Sequence, residues 1–371
     1  MNFALSEEQQ AIKKAAEEFA RGEFITERVE ALLSAAEYPW DILKKAADLG
    51  FVGIHFPEKY GGQGYGLLEK VLVIESFCRQ DPSLGMTLSL SDVGSQWILS
   101  NGSGEQNERI LPGVARGEAV FSVGLSAMGN QDLNDQPVKS TRRGKGITLN
   151  GTQSLVINAG LARQMMIFEG FEPGKRRGFI VNTDQDGVIL EESEPRMGLT
   201  SIPFRSVRLD NVPVSLSDFL PHVDTKADSA LEIEIAAQSL GMARGAFELA
   251  VEYARSREAF GRRIIEFQAL NHALADFATR LEASKWLVYH AAWRLDGGDA
   301  DPRLTSMAKL FGGMMATDLI RGAIQIHGGY GFLKESGLER RYRDAWFTEL
   351  LGGTAEDQKD TIAKIWLGKG A

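Results

Sequence analysis

The sequence predicts an α+β fold in which a small antiparallel β domain lies between two helical domains. Apolar residues recur at helical spacing up to about residue 113, form short strand-like runs from 114 to 221, and then return to helical spacing. This order does not suit a doubly wound parallel sheet, in which strands and helices alternate along the chain. We therefore expect three domains, at residues 1–113, 114–221 and 222–371.

Two sequence signals mark helix starts in the N-terminal domain. Ser6 and Gln9 have the spacing of a capping box, in which two residues satisfy each other's backbone N–H groups. Asp81 followed by Pro82 predicts the cap and first turn of another helix. We expect this helix to continue past Asp92, with an apolar face made of Met86, Leu90, Val93 and Trp97.

The central region contains short runs rich in β-branched and aromatic residues, which predict strands. Asn150-Gly151 and Asp186-Gly187 between them are turn sequences of the kind that favour hairpins. The predicted strands are 119–123, 146–149, 164–168, 178–181, 188–190 and 206–209.

The composition excludes several classes of function. The 371 residues carry a formal net charge of −9, with a pI near 5.3, and show no cluster of cations for binding nucleic acid. No run approaches the roughly 18 apolar residues of a membrane span, and the first residues lack the basic and apolar regions of a secretion signal. We therefore expect a cytoplasmic protein without a membrane span.

The cysteine and histidine content argues against a disulfide or a metal site. Cys78 is the single cysteine, and the five histidines are scattered without the spacing of metal ligands. We interpret Cys78 as a small buried apolar residue. The glycine-rich run at 61–66 is not a Rossmann loop, because it lies between helical segments and does not connect a strand to a helix.

Six motifs follow one another along the chain. In the N-terminal and central regions they are FVGI with PEKYGG at 51–62, LP with GE at 111–118, and NGT at 150–152. In the C-terminal region they are REAFG with FQ at 257–268, QIHGGYGF at 325–332, and TAEDQ at 354–358. In this order and spacing they resemble the acyl-CoA dehydrogenase family over essentially the whole chain. The resemblance implies that family's fold, with a C-terminal four-helix bundle after the β domain.

The resemblance also implies FAD, held at a subunit interface of a tetramer. Chemically, the Arg257 guanidinium suits a pyrophosphate, and the glycines at 328 and 329 let the backbone approach the same group. Without the resemblance, the spacing favours an alternative in which Arg257 pairs with a neighbouring acid such as Glu258 or Glu266 and the glutamines are solvated. The FAD-binding residues that the resemblance implies are Arg257, Phe260, Gln268, Gln325, Gly328, Gly329, Thr354, Gln358, Ser126 and Ile157.

The residues expected near the flavin ring depart from the family pattern. The segment from Leu125 to Leu133 is one residue shorter, and Ser126 and Asp132 are its residues that still look similar. Leu155 and Ile157 stand where a tryptophan and a threonine are usual. Isoleucine cannot donate the hydrogen bond that a threonine hydroxyl would give to the ring.

The catalytic base of the family is the largest departure. Its chemistry needs a carboxylate that removes an α-proton while a hydride leaves the β-carbon. Most members place a glutamate directly before Gly-Thr, where this chain has Gly352, and others place it on the first long C-terminal helix, where this chain has Leu231. Glu232 follows Leu231, but one helical step turns a side chain by about 100°. Asp92 is our candidate for a relocated base, with a pKa raised by burial. The alternative is that Asp92 is solvated or hydrogen-bonded locally, since Ser89, Ser91, Ser95 and Gln96 make this helix polar.

Three functions remain open at this stage. The first is FAD-dependent dehydrogenation of an acyl-CoA or acyl-carrier thioester, with an electron-transfer protein as acceptor. The second is a catalytically weak subunit that completes the flavin site of a related chain in a hetero-oligomer, in place of a homotetramer. The third is a flavin monooxygenase or oxidase on the same fold, which would need no α-proton base.

Overall fold

A computed structural model describes residues 4–125, 137–144, 146–170, 176–193 and 195–368 of the chain. Within these ranges, twelve α-helices and ten β-strands follow the predicted order of helices, strands and helices. The helices are α1 (Glu7–Glu23), α2 (Thr26–Ala35), α3 (Trp40–Asp48), α4 (Leu67–Gln80), α5 (Pro82–Ser89), α6 (Ser95–Asn101), α7 (Gly104–Ala115), α8 (Lys226–Ser256), α9 (Gln268–Asp296), α10 (Pro302–His327), α11 (Leu338–Leu350) and α12 (Ala355–Leu367). The strands are β1 (Ser122–Gly124), β2 (Lys139–Arg143), β3 (Gly146–Ile157), β4 (Gln164–Glu169), β5 (Arg177–Asn182), β6 (Val188–Leu190), β7 (Phe204–Val214), β8 (Phe219–Leu220), β9 (Glu258–Ala259) and β10 (Arg262–Arg263).

The predicted capping box at the start of α1 is confirmed. Ser6 Oγ accepts a hydrogen bond from Gln9 N at 3.1 Å, and Gln9 Oε1 accepts one from Ser6 N at 3.0 Å. Asp81 likewise caps α5 by accepting from Leu84 N at 3.0 Å. These caps satisfy donors that the helix itself leaves without partners.

The prediction of one continuous helix through Asp92 is wrong. Helix α5 ends at Ser89 and α6 begins at Ser95, and Asp92 lies in the turn between them. The β domain satisfies the carbonyl groups of this turn: Asn158 Nδ2 donates to Leu90 O at 2.8 Å, and Phe121 N donates to Ser91 O at 3.1 Å. In this turn, hydrogen bonds from the β domain replace those that a continuing helix would make.

Eight strands form one sheet in the order β6-β7-β3-β1-β4-β5-β8, with β2 paired to β3. Neighbouring strands are antiparallel except β1 and β4, which are parallel. All six predicted runs fall on this sheet, whereas β2 and β8 have no counterpart among them. Asn150-Gly151 is not a hairpin turn as predicted. It lies inside β3, where the register with β7 shifts between Leu149 and Gly151.

The C-terminal region is a bundle built around α8, which packs against α10 in the same bundle and α4 of the N-terminal region. Two glycines allow the close approach of α8 to α4. A Cβ at Gly241 would lie 2.4 Å from Glu75 O, and one at Gly245 would lie 2.1 Å from Arg79 O. This contact brings residues of the first and last domains into one buried layer. No helix in the described part of the chain is both long and apolar enough to cross a bilayer.

Candidate active site

The loop between α11 and α12 has a tightly specified backbone. Gly352 and Gly353 have φ values of +68° and +106°, which glycine adopts far more readily than other residues. Thr354 then caps α12: its Oγ1 accepts from Asp357 N at 3.2 Å, and its own N–H donates to the Asp357 carboxylate at 2.7 Å. The loop therefore enters α12 in one defined conformation.

Gly352 meets the inner face of α8. A Cβ built on Gly352 would lie 2.9 Å from Ile235 Cδ1 and 3.8 Å from Leu231 Cδ2. It would also lie 3.7 Å from Lys309 Cε on α10. The two positions at which the resemblance expects a base, 352 and 231, thus converge on one spot, and neither residue there carries a carboxylate.

The carboxylate of Glu232, one residue after Leu231 on α8, interacts with Lys309 and Gln358. Gln358 Nε2 donates to Glu232 Oε1 at 3.3 Å, and Lys309 Nζ donates to Gly353 O. Burial raises the pKa of Glu232 to about 7, although the nearby Lys309 ammonium opposes this shift. Burial also lowers the pKa of Lys309 to about 8, although Glu232 opposes it. Both groups therefore titrate near neutral pH.

Glu232 is a residue that the sequence argument set aside. Its rotation away from Leu231 along α8 is real, but α10 and α12 bring Lys309 and Gln358 to it from 77 and 126 residues away in sequence. No local signal marks such contacts.

Asp92 belongs to a buried charge network. Lys70 Nζ on α4 lies 2.9 Å from Asp92 Oδ1 and 3.0 Å from Glu234 Oε1 on α8. Gln96 Nε2 donates to the same Glu234 oxygen at 2.8 Å. The local alternative for Asp92 is not what the structure describes, because Ser91 Oγ donates to Leu88 O and Asp92 pairs with Lys70. The signal that could have revealed this pairing is the lysine inside the apolar run of α4.

A second group of predicted residues forms an open cradle at the far end of α8. A surface cavity of about 340 Å³ is lined by Arg257, Gly328, Gly329, Tyr330 and their neighbours. Cβ atoms built on Gly328 and Gly329 would meet nothing within 4 Å, and Gly328 has a φ of +56°. The Arg257 guanidinium lies 5.8 Å above the Tyr330 ring, and it makes no ion pair with a carboxylate in the described ranges. The alternative pairing of Arg257 with Glu258 or Glu266 is thus not seen.

The residues around this cradle are exposed. Phe260, at the tip of the β9–β10 hairpin, is 96% exposed, and Phe332 is 87% exposed. Gln268 and Gln325 are also exposed. Both aromatic side chains are therefore free in the single chain to contact another molecule.

The predicted cofactor residues divide between the two ends of α8. Gln358 contacts Glu232 near the start of the helix, whereas Arg257 follows its end. At 1.5 Å per residue, the 25 residues between 232 and 257 span roughly 37 Å. A dinucleotide cannot contact both groups within one chain, so one cofactor would need two copies to do so.

The residues that we expect near the flavin ring lie in different surroundings. Ile157 is fully buried, and its carbonyl oxygen accepts from Ser122 Oγ. Leu155 is partly buried, with a φ of +52°, where the pairing of β3 with β7 is irregular. Ser126 and Asp132 lie outside the described residues. The roles of these residues in cofactor binding stay predictions.

Two family models match the chain. The acyl-CoA dehydrogenase N-terminal domain matches residues 6–118, and the acyl-CoA dehydrogenase C-terminal domain matches residues 232–367. The chain is 34% identical to the 3-(aryl)acrylate reductase of Clostridium sporogenes, over 96% of this chain and 98% of that protein. This chain belongs to the acyl-CoA dehydrogenase family.

This acyl-CoA dehydrogenase family member has two further similarities that agree with the assignment. It is 32% identical to the caffeyl-CoA reductase-Etf complex subunit CarC of Acetobacterium woodii, over 98% of this chain and 99% of that one. A glutaryl-CoA dehydrogenase from Mycobacterium smegmatis, solved in complex with FADH2, matches with a TM-score of 0.90 at 26% identity, covering 99% of this chain and 96% of that chain. The predicted fold is confirmed, as is the prediction of an acyl-CoA dehydrogenase-like flavoprotein oxidoreductase.

The residues of the cradle fit the cofactor that is typical of this family, FAD. An unpaired guanidinium and two glycines without a covering side chain suit a pyrophosphate, which needs cationic donors and close backbone approach. In one FAD site, Arg257, Gly328 and Gly329 would hold the pyrophosphate, and Gln268 and Gln325 would face the adenosine half.

Proposed function

We propose that this chain oxidises the Cα–Cβ bond of an acyl thioester, with FAD as the hydride acceptor. The observation that carries the proposal is the meeting of Gly352 with Leu231 and Ile235, with Lys309 linking this spot to the titratable carboxyl of Glu232. This spot corresponds to the base position that the family resemblance implies. The carboxylate that serves it comes from the next residue of the same helix.

FAD, when bound, supplies the acceptor for the hydride that leaves Cβ. The protein's own task is to take the proton from Cα, and we assign this task to Glu232. With a pKa of about 7, a substantial share of Glu232 is ionised near neutral pH and still basic enough to accept a proton. Lys309 fixes the glycine loop through Gly353 O and places positive charge beside the ionised carboxylate.

Asp92 is the less favourable candidate for this base. The Lys70 ammonium lies 2.9 Å from its carboxylate, so Asp92 is already engaged in an ion pair inside the protein. Asp92 is also buried, with 3% of its surface accessible. A substrate would therefore have to compete with Lys70 for this carboxylate.

The arrangement of the cofactor residues supports an assembly of at least two chains. Arg257 and its glycine cradle from one chain would meet the Gly352 end of α8 from another, because one chain separates them by roughly 37 Å. A homotetramer satisfies this requirement if every chain supplies both ends. The exposed Phe260 ring would be covered in the same contact.

The direction of the reaction and its partners follow from the relatives only as proposals. The similarity to a 3-(aryl)acrylate reductase and to a subunit of a caffeyl-CoA reductase-Etf complex supports redox chemistry at the Cα–Cβ bond in either direction. We propose an electron-transferring flavoprotein as the redox partner. The thioester carrier is CoA or a carrier protein.

The proposal is tested with the purified chain under anaerobic conditions. A yellow protein whose flavin absorbance is bleached by a panel of acyl-CoAs supports thioester oxidation, whereas a flavin-loaded protein that no thioester reduces contradicts it. Glu232→Gln should slow the bleaching on the order of a hundredfold or more, as expected for loss of a general base. Glu108→Gln, at an exposed position of α7, is the matched control. A larger loss in Asp92→Asn than in Glu232→Gln would reassign the base to Asp92.

The absence of a carboxylate at both 352 and 231 favours a second candidate function. In this alternative the chain supplies the Arg257 cradle to a related, catalytically competent chain in a hetero-oligomer. A colourless protein that gains FAD only when mixed with that related subunit would support the alternative. Stoichiometric FAD in the chain purified alone would exclude it.

A further inference from the structure

The buried network around Lys70 contains an excess of negative charge. Two carboxylates, Asp92 and Glu234, face one ammonium, and the accessible fraction of each of the three side chains is 5% or less. The fourth neighbour, Gln96, is neutral. Enclosing a carboxylate without a matching cation is costly, so such an excess calls for a proton or a positively charged ligand.

The other titratable neighbours do not remove this excess. Burial and the adjacent Lys70 hold the pKa of His55 well below its ordinary value, so its imidazole is neutral. Burial, together with the charge of Asp92, raises the pKa of the Tyr38 phenol, which is neutral as well. Burial raises the pKa of Glu234, although Lys70 opposes this. A proton on Glu234 and a cationic ligand are thus the two ways to offset the second carboxylate.

Two buried side-chain oxygens lie on the same face of α8 and have no hydrogen-bond partner in the described chain. They are Glu234 Oε2 and Gln238 Oε1, on side chains that are 1% and 0% exposed. The residues are four apart, so their side chains are neighbours on the helix surface. The amide nitrogen of Gln238 is already used, since it donates to Ser89 Oγ at 2.9 Å. Orphan acceptors of this kind normally have a partner in the working molecule.

These acceptors flank the proposed site of proton removal. Gln238 is seven residues after Leu231, which turns its side chain by only about 20° from Leu231, and Glu234 is turned by about 60°. Leu231 and Ile235 are the α8 residues that meet Gly352. An acyl group whose Cα lies beside Gly352 would therefore extend along Glu234 and Gln238.

We propose that the acyl group of the substrate carries an ammonium group, bound by Glu234 and Gln238. The inference rests on the proposed function, because it places a thioester beside Gly352. An ammonium has three N–H donors and no acceptor, which matches two orphan oxygens and one surplus negative charge. An apolar acyl chain would leave both oxygens unsatisfied. Gln96 donates to the other Glu234 oxygen and Ser89 accepts from the Gln238 amide, and these two residues keep 6% and 7% of their surface accessible.

The first test compares two ligands of equal length, β-alanyl-CoA and butyryl-CoA, which differ in a terminal ammonium or methyl group. The flavin-loaded protein should bind β-alanyl-CoA on the order of tenfold more tightly, as expected for a charge-assisted hydrogen bond. Glu234→Gln should abolish this preference, and Glu108→Gln should keep it. Equal affinities in the unaltered protein, or a preference for butyryl-CoA, would overturn the inference.

The second test needs no variant and no flavin reduction. A bound ammonium lowers the pKa of Glu234, so β-alanyl-CoA should release protons on binding, and its affinity should weaken as the pH falls through that pKa. Calorimetry in two buffers of different ionisation enthalpy measures the release, and butyryl-CoA is the control ligand. Equal proton release with both ligands would contradict the proposed site.

The two proposals fail in different ways. If butyryl-CoA bleaches the flavin and β-alanyl-CoA neither binds more tightly nor releases protons, the ammonium site is wrong and the thioester function stands. If β-alanyl-CoA binds with proton release and no thioester bleaches the flavin, the site stands and the oxidation does not.

Discussion

Gly352 and Leu231 occupy one spot from two directions: a Cβ on Gly352 would lie 3.8 Å from Leu231 Cδ2. Gly352 in the loop and Leu231 on α8 are 121 positions apart in sequence and border the same small volume. A carboxylate at either position could reach it. In this chain both are apolar, and Ile235 occupies the remaining space at 2.9 Å from the same point. We therefore look for the base among neighbouring residues, and Glu232, which interacts with Lys309, is the first to test.

Gly352→Ala should destabilise the protein by about 1–2 kcal/mol, because an alanine at positive φ is strained and its methyl group would crowd Ile235. The free energy of unfolding from denaturant titration measures this change. Gly104→Ala is the control, since a Cβ at Gly104 meets nothing within 4 Å and its φ is ordinary. Equal unfolding free energies for the two variants would contradict the strained loop.

The rate of flavin bleaching should rise with pH through the pKa of Glu232, about 7, because the carboxylate must be ionised to accept a proton. Glu232→Gln should lack this limb, with a low rate that no longer follows a titration near pH 7. Stopped-flow bleaching from pH 5.5 to 8.5 provides the measurement. A limb of unchanged position in the variant would assign the titration to another group, such as Lys309.

The features that sequence reasoning predicted well are those set by neighbouring residues. The capping box of Ser6 and Gln9 and the cap at Asp81 depend on side chains three residues from their partners, so local chemistry suffices. The order of helices and strands follows from periodicity in the same way. The cofactor cradle could be proposed because Arg257 and the glycines at 328 and 329 stand in ordered motifs of a family.

The features that it missed depend on contacts between distant segments. At the break between α5 and α6, Asn158 and Phe121 of the β domain donate hydrogen bonds to carbonyl groups of the turn. No residue near the break in sequence predicts these bonds. Asp92 becomes an ion-pair partner through Lys70 on α4, and Glu232 gains Gln358 from α12. Such pairs are visible only when the three domains are packed together.

Arg257→Gln should lower FAD retention on the order of tenfold or more, because it removes a charged donor from the proposed pyrophosphate site. The thermal midpoint of the flavin-free protein should stay the same, since Arg257 makes no ion pair in the described chain. The ratio of flavin to protein absorbance after gel filtration measures retention. Loss of stability without loss of flavin would show a structural role instead.

Phe260→Ala should weaken association between chains while leaving the fold of each intact, because the ring is 96% exposed in the single chain. Light scattering over a dilution series measures the mass of the assembly, and circular dichroism verifies the fold. Ile25→Ala, at another exposed apolar residue, 49% accessible, is the control. An unchanged mass at every concentration would place the Phe260 ring outside the interface.

The last prediction concerns Asp344, a buried carboxyl that joins three parts of the molecule. It accepts hydrogen bonds from Ser83 Oγ on α5 and from Leu199 N, at 3.0 Å, in the β domain, while it belongs to α11. Burial raises the pKa of Asp344 to about 6 from an ordinary value of 3.8, although these hydrogen bonds oppose the shift. The folded state therefore favours the protonated form of Asp344 more than the unfolded state does.

The sign of the pH effect follows from this shift. The contribution of Asp344 to stability is complete below pH 3.8 and is lost as the pH rises to about 6, so the free energy of unfolding should fall by about 2–3 kcal/mol across that window from this group alone. Asp344→Asn keeps the acceptor for Leu199 N and cannot ionise, so it should lack this fall. Urea titration at pH 4 and pH 6.5 gives the free energy of unfolding of both proteins, and the difference between them isolates the contribution of Asp344. Asp184→Asn, at an exposed position, is the control. If Asp344→Asn and the unaltered protein lose stability in parallel over this range, another buried group controls the pH response.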